Sequence, residues 1–259
     1  MTMRSQREWL MATPYQPLTF ETGFDNAHYR PTTSLNSLWY QERTEGPGMI
    51  EHATSIVPLG EDRGDAASLL LACAFQDEPL FVYACPDPSA RAQWLPWYFR
   101  WSVWAGFTCG ATLGTAGHLN GVVAAIGPGG GELTAESLAQ AGADRGREAV
   151  GAAVWDRATQ ALSAVFATAD AVFFHAVPEP HWHLDVLGVD PGRRGQGIGS
   201  SLVHAITMRA DADRVPAALL TRQPRNLPLY RRHGFRVACG GTDPGSGLPW
   251  WGMRREPGR

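Results

Sequence analysis

A glycine-rich loop between a strand and a helix constrains the fold of this chain most strongly. Residues 183–189 alternate polar and apolar side chains, as a half-buried strand does, and residues 199–209 show helical spacing. The loop between them combines glycines with arginines: Gly192, Gly195, Gly197, Gly199, Arg193 and Arg194. Unpaired N–H groups and the positive dipole end of the helix converge at such a loop. It is predicted to bind an anion such as a diphosphate, although an ordinary glycine loop without a ligand would show the same pattern.

Two other phosphate-binding loops do not match these residues. The phosphate-binding loop of nucleoside triphosphatases needs a Gly-Lys-Ser/Thr sequence, and this chain contains no lysine. A dinucleotide-binding loop needs a GxGxxG pattern, but the sixth position counted from Gly195 is Ser200. The absence of lysine and the residue at position 200 therefore argue against these two classes of nucleotide-binding loop.

The order of elements predicts an α/β fold, because short apolar strands alternate with amphipathic helices. Strands are predicted at 55–59, 107–113, 119–126, 183–189, 217–221, 235–238 and 249–254. Helices are predicted at 65–75, 87–104, 135–141, 150–174, 199–209 and 226–233. Residues 1–49 lack this periodicity and are predicted to be an irregular extension, with Met49 as an alternative start, so the folded domain is placed at 50–259.

Charge and cysteine usage exclude several kinds of partner. The net charge is -3 and no block of basic residues occurs, so neither nucleic acid nor a membrane surface is an expected partner. The four cysteines are widely spaced and form no CxxC or His/Cys cluster, so no metal site is expected. No apolar signal segment is present at the amino terminus, which leads us to expect a cytoplasmic protein.

Two motifs in the last third of the chain resemble one known family. Residues 194–199, Arg-Gly-Gln-Gly-Ile-Gly, resemble the RxxGxG motif of the GNAT (Gcn5-related) N-acetyltransferases, and 226–235 are similar to that family's second signature. Within the family the pattern is most similar to puromycin N-acetyltransferase-like members. The resemblance implies a mixed, mostly antiparallel central sheet with a splayed parallel strand pair and helices on both faces.

The same resemblance implies acetyl-CoA as co-substrate and assigns residues to it. The pyrophosphate would be held by the loop and the first turn of the helix after it: Arg194, Gly195, Gln196, Gly197, Ile198, Gly199 and Ser200. Asn226 would contact the CoA arm. Backbone N–H groups near Leu187, Gly188 and Val189 would bind the thioester carbonyl, at a point where the family's strand is splayed by a bulge.

Candidate catalytic residues come from the second signature and from the strand. The resemblance places Tyr230 near the CoA sulfur, and a phenol of reference pKa about 10 is similar in acidity to a thiol of about 8.5. Strand alternation predicts His181, His183 and Asp185 on one face, with Trp182, Leu184 and Val186 on the other. His183 is a candidate base and Asp185 could orient it. Asp185 itself, Glu179 in a proline-flanked loop, or a water molecule remain open as alternatives.

The sequence thus predicts direct transfer of an acetyl group from acetyl-CoA to the primary amine of a small molecule. Aromatic residues at helical spacing over 94–104 favour an aromatic or antibiotic-like amine. Two alternatives are retained, namely a protein or peptide N-acetyltransferase and a non-catalytic acyl-CoA-binding regulatory module. The sequence does not distinguish a monomer from a homodimer.

Overall fold

The computed structural model describes residues 55–130, 139, 141–178 and 180–258. The predicted extension over 1–49 and the proline-flanked Glu179 lie outside these residues. The helices are α1 (Gly64–Phe75), α2 (Pro79–Ala84), α3 (Pro88–Cys109), α4 (Ala143–Val150), α5 (Ala152–Ala176), α6 (Ile198–Ala212) and α7 (Leu227–Arg232). None of these helices is long and apolar enough to cross a membrane.

The strands form one mixed sheet. They are β1 (Ile56–Pro58), β2 (Gly110–Thr115), β3 (Gly121–Ile126), β4 (Trp182–Val189), β5 (Ala217–Thr221), β6 (Arg236–Thr242) and β7 (Pro249–Arg255). Their order in the sheet is β1-β2-β3-β4-β5-β7-β6. Neighbouring strands are antiparallel except for β4 and β5, which are parallel. This topology confirms the predicted mixed, mostly antiparallel α/β sheet.

Helices cover both faces of this sheet, because β3 and β4 carry apolar side chains on both sides. On one face, Val122, Ala124 and Val186 pack in a cluster with residues of α1, α2, α3 and α5. On the other face, Val123 and Leu184 pack with α6 and with Tyr230 of α7. A strand buried on both faces needs such a double cover, as is usual for parallel and mixed sheets.

The parallel pair opens towards the carboxyl end of β4. Trp182, His183 and Leu184 pair with β5, but no pairing with β5 continues beyond Leu184 among the described strand residues, although β4 itself runs to Val189. At the same point the β3–β4 register shifts, with Ala125 opposite Leu184 and Ala124 opposite Val186. Asp185 is thus the extra residue of a β-bulge, which bends β4 away from β5. The predicted splay of the parallel pair is confirmed.

The bulge also corrects the predicted face of one strand residue. Strict alternation placed Val186 with Trp182 and Leu184, but Val186 packs against the α1 and α3 side of the sheet, whereas Trp182 and Leu184 pack on the α6 side. An inserted residue reverses the alternation after it, because the side-chain period of a strand is two.

A second correction concerns the end of the long aromatic helix. Residues 107–109, predicted to begin a strand, belong to α3, and β2 begins at Gly110. Ala105 and Cys109 of this last turn are buried against Ile126 of β3. A helix that packs in this way buries the same apolar side chains that a strand would, so a short apolar run does not distinguish the two.

Candidate active site

Two glycines of the loop after β4 adopt a backbone conformation that favours glycine. Asp190 accepts a hydrogen bond from the Gly192 N–H at 2.7 Å and thereby starts a 3-10 turn over Pro191–Arg193. Gly195 and Gly197 follow with φ of +79° and +81°, in the left-handed region that favours glycine. A Cβ at either position would meet no protein atom within 4 Å. The backbone of this loop therefore borders open space.

Helix α6 begins directly after this loop without a side-chain cap. Its N-cap is Gly197, which has no side chain to accept a hydrogen bond from the first turn. The N–H groups at this end are therefore available to an anion. In the first turn, the Ser200 hydroxyl lies 2.7 Å from Nε2 of His233. This contact joins the first turn of α6 to the second motif, because His233 lies within residues 226–235.

We call the space in front of this loop the loop cleft, and its volume is about 530 Å³. Most of the residues that the resemblance assigned to the cofactor line it: Leu187, Gly188, Val189, Arg194, Gly195, Gly197, Ile198, Gly199, Ser200 and Asn226. Gln196 is exposed on the loop and is not part of the lining. Arg193, Arg225 and Arg232 also line the cleft, so it is strongly positive.

Two details explain why the walls of the cleft come close together. Arg194 reaches across and donates a hydrogen bond from Nη2 to the Ala74 carbonyl oxygen of α1 at 2.7 Å. On β4, a Cβ at Gly188 would lie 2.8 Å from Leu71 Cδ2 and 3.1 Å from Ala74 Cβ. Glycine at 188 therefore permits the close approach of α1 to the splayed strand.

A second space, which we call the aromatic cavity, has a volume of about 220 Å³. Its lining is rich in rings that come from α1, α2, α3, α5 and α7: Phe75, Phe81, Trp97, Tyr98, Phe99, Trp101, Trp155, Phe166 and Tyr230. Several of these rings meet edge to face, as Phe81 and Tyr98 do at 5.4 Å and Phe75 and Phe81 at 5.7 Å between centroids. The aromatic residues that show helical spacing in the sequence thus line a cavity as well as the core.

The loop cleft and the aromatic cavity share part of their lining. Phe75, Glu78, Leu187, Asn226 and Tyr230 border both. A ligand that extends from one space into the other would pass these five residues. This junction brings the predicted residues Leu187, Asn226 and Tyr230 together.

Tyr230 is held at this junction by α7 and by its neighbour Phe235. The ring is 6% exposed and meets the Phe235 ring edge to face at 6.0 Å. Burial raises the pKa of the Tyr230 phenol to about 12, and the negative charge of nearby Glu78 acts in the same direction. The phenol therefore keeps its proton across the physiological pH range, as a hydrogen-bond donor must.

Glu78 is a junction residue that the sequence did not reveal. It precedes Pro79 at the start of α2. Its main-chain carbonyl oxygen, not its side chain, accepts hydrogen bonds from the N–H groups of Phe81 and Val82. The carboxylate, 12% exposed, accepts a hydrogen bond from Gln223 Nε2 at 2.9 Å and lies 3.7 Å from Arg225 Nη2. Burial raises the pKa of the Glu78 carboxyl, against the lowering effects of Gln223, Arg225 and Arg194.

His183 and Asp185 border the aromatic cavity but not the loop cleft. His183 is 1% exposed, and its ring packs on Phe173 at 5.4 Å and His181 at 6.0 Å between centroids. Asp185 lies at the bulge of β4 and is half-buried. Both therefore border one of the two spaces, whereas Glu78 borders both.

The match to a protein-family model covers the same part of the chain. Residues 143–237 match the model of an acetyltransferase (GNAT) domain. This range runs from α4 through the splayed strand, the glycine loop and α7, so it contains both sequence motifs and most of the lining of the loop cleft.

Solved acetyltransferases share the fold. One, from Corynebacterium glutamicum and described as histone acetyltransferase HPA2 and related acetyltransferase, is 19% identical, with a TM-score of 0.56 over 80% of this chain and 98% of that one. Another, arylalkylamine N-acetyltransferase 2 from Aedes aegypti, is 14% identical, with a TM-score of 0.54 over 80% of this chain and 100% of that one. At such identities the likeness shows the fold. With the family model and the two motifs, it shows that residues 143–237 lie in a GNAT-type acetyltransferase fold.

Proposed function

We propose that the protein transfers the acetyl group of acetyl-CoA to the primary amine of a small molecule. The observation that carries this proposal is the junction of two unlike spaces. A positive, glycine-walled cleft suits a diphosphate-bearing donor, and an aromatic cavity suits a small organic acceptor. The reacting groups of donor and acceptor would meet at Glu78, Asn226 and Tyr230.

The residues of the loop cleft fit the CoA moiety. Gly195 and Gly197 leave open space where a side chain would otherwise stand, and the first turn of α6 offers N–H groups to the pyrophosphate. Arg193 and Arg232 add positive charge to this wall. When bound, acetyl-CoA supplies an activated acetyl thioester with a thiolate leaving group.

Beyond the bulge, β4 offers backbone groups for the acetyl end of the donor. The splay removes β5 as a pairing partner over Leu187 to Val189, and these residues border the cleft. Backbone N–H groups on this edge can donate to the thioester oxygen and to the pantetheine arm. Fixed N–H donors of this kind stabilise negative charge that develops on a carbonyl oxygen.

Tyr230 donates its hydroxyl to the leaving sulfur in this proposal. Complete proton transfer from a phenol of pKa about 12 to a thiolate whose thiol has a pKa of about 8.5 would be uphill by about 5 kcal/mol. A hydrogen bond that stabilises the thiolate requires no such transfer. If Glu78 becomes protonated, its charge no longer raises the pKa of Tyr230, so Tyr230 then becomes a better proton donor.

Glu78 joins His183 and Asp185 as a candidate for the group that receives the proton of the amine. It borders the cavity of the acceptor and the cleft of the donor, and its raised carboxyl pKa makes it a stronger base than an exposed glutamate. We therefore propose Glu78 as the base, with His183 and Asp185 shaping the acceptor side. No covalent enzyme intermediate is needed, because donor and acceptor can meet directly.

The test is thiol release from acetyl-CoA with small amines, with an amino-terminal peptide, and with no acceptor, beside a calorimetric measurement of acetyl-CoA binding. Release with at least one small primary amine, and formation of its N-acetyl product, is the expected result. Release with the peptide alone would favour protein acetylation. Binding without release on any acceptor would favour a regulatory acyl-CoA-binding module.

A further inference from the structure

The aromatic cavity restricts the chemistry of the acceptor further than the proposed function does. Rings from five helices face it, among them Phe75, Phe81, Trp97, Trp101 and Trp155. Aromatic walls contribute to binding through offset and edge-to-face ring contacts, which an aliphatic chain does not make. The edge-to-face pattern among the wall rings would continue through a ring of the acceptor.

The charged side chains that line the cavity favour an ammonium group at the end of the cavity that meets the loop cleft. Glu78, at the junction, is a carboxylate beside the point where the acetyl group would arrive. Among the described residues that line the cavity, Arg222 carries the one permanent positive charge. Its guanidinium carbon lies 5.3 Å from the centroid of the Phe166 ring, and its Nη2 donates to the Val165 carbonyl oxygen at 3.3 Å.

Arg222 is also balanced by an acidic neighbour outside the cavity. Burial by itself would raise the pKa of Asp243, but hydrogen bonds from Ser246 and the positive charge of Arg222 lower it. Asp243 is 3% exposed, and the attraction between its carboxylate and Arg222 offsets part of the positive charge of Arg222. The cavity therefore does not require a carboxylate on the acceptor to neutralise Arg222.

The size of the cavity favours a small acceptor. Its volume is about 220 Å³. Pockets for drug-sized ligands usually measure about 300–1,000 Å³. One ring or two fused rings with a short alkyl chain suit this space, whereas a molecule as large as an aminonucleoside antibiotic does not.

We propose that the acceptor is a compact arylalkyl primary amine without a carboxylate, held with its ring among the aromatic residues and its amine beside Glu78. This inference rests on the proposed acetyl transfer and narrows it. The ammonium group first gives one proton to the base, which makes the nitrogen a nucleophile. The nitrogen then forms the new bond to the acetyl carbon, the carbon–sulfur bond breaks and the thiolate leaves, and the second proton passes from the nitrogen to solvent.

A panel of acceptors tests the inference. It contains 2-phenylethylamine and tryptamine, their carboxylated counterparts phenylalanine and tryptophan, the polyamine spermidine, and puromycin. We expect kcat/KM for the two arylalkyl amines to exceed that for each of the others at least tenfold. Preference for spermidine, an amino acid or puromycin would overturn the inference while leaving acetyl transfer intact. No transfer to any acceptor would overturn the proposed function as well.

A pair of variants on α5 tests the location. Ser163 lines the aromatic cavity, and Ala164 next to it is exposed. Ser163→Phe should raise the KM for tryptamine at least tenfold and leave the KM for acetyl-CoA unchanged, because it fills the acceptor side alone. Ala164→Phe adds the same ring to the same helix and should alter neither. Equal effects of both variants, or no effect of Ser163→Phe, would refute this placement of the acceptor.

Discussion

Replacing Tyr230 by phenylalanine removes one hydroxyl group from the junction and nothing else. Among the described residues no hydrogen bond of this hydroxyl to another protein group is found, and the ring keeps its contact with Phe235. No partner is therefore left unsatisfied, and the free energy of unfolding should change by less than about 1 kcal/mol. A loss of activity in this variant must therefore come from the reaction and not from unfolding.

The expected loss of activity follows from the proposed role. A hydrogen bond to a charged group contributes about 1.5–3 kcal/mol, which corresponds to about 10- to 150-fold in rate. Because the bond forms to the leaving sulfur as charge develops there, kcat should fall while the dissociation constant of acetyl-CoA stays nearly constant. Since the pKa of Tyr230 is about 12, the activity of the wild type should not decline through deprotonation of this phenol below about pH 10.

The assay is initial-rate thiol release with a fixed amine, together with acetyl-CoA binding by calorimetry and thermal unfolding. Tyr83→Phe serves as the matched control, because Tyr83 is 43% exposed and borders neither space. A Tyr230→Phe enzyme with wild-type kcat would refute the role of the hydroxyl. A tenfold loss of acetyl-CoA affinity with unchanged kcat would show that Tyr230 binds the donor instead.

Other predictions concern the base, the loop and the His233 contact. Glu78→Gln should lower kcat/KM about 100-fold or more, and a pH–rate profile with its acid limb unchanged would exclude Glu78 as the base. Gly197→Ala should weaken acetyl-CoA binding, measured by calorimetry, at least about tenfold. Gly117→Ala, also at positive φ in open space, is the control for backbone strain. Equal acetyl-CoA affinities of the two variants would contradict this role of Gly197. Burial, and then the neighbouring positive charges, lower the pKa of His233. A bound anion at Ser200 would raise this pKa, so the affinity for acetyl-CoA should rise as the pH falls from about 7.5 to about 6. His233→Gln should lose this pH dependence.

The parts of the site that depend on local chain geometry could be predicted from the sequence. Gly195 and Gly197 adopt the left-handed conformations for which glycine is suited, and the strand, loop and helix around them follow in sequence order. Tyr230 and Asn226 lie at the junction because the second motif continues from β5, the strand beside β4. Elements that follow one another in the chain in this way can be predicted from the local sequence pattern alone.

The remainder depends on tertiary packing that no local pattern records. Glu78 reaches the junction because the α1–α2 connection lies against Gln223 and Arg225, far along the chain. A single glutamate before a proline gives no sign of this environment. The bulge at Asp185 likewise results from how β3 and β4 pair, so the face of Val186 could not be derived from alternation.

Transfer of a labelled acetyl group tests the central claim most directly. The enzyme is incubated with acetyl-CoA labelled in the acetyl group, first without an acceptor and then with 2-phenylethylamine or another small amine, and protein and small molecules are analysed by mass spectrometry. We predict label on the amine nitrogen, in amounts equal to the CoA released, and no label on the protein in either sample. Label that stays on the protein, or remains on acetyl-CoA with every amine, would contradict direct acetyl transfer at this site.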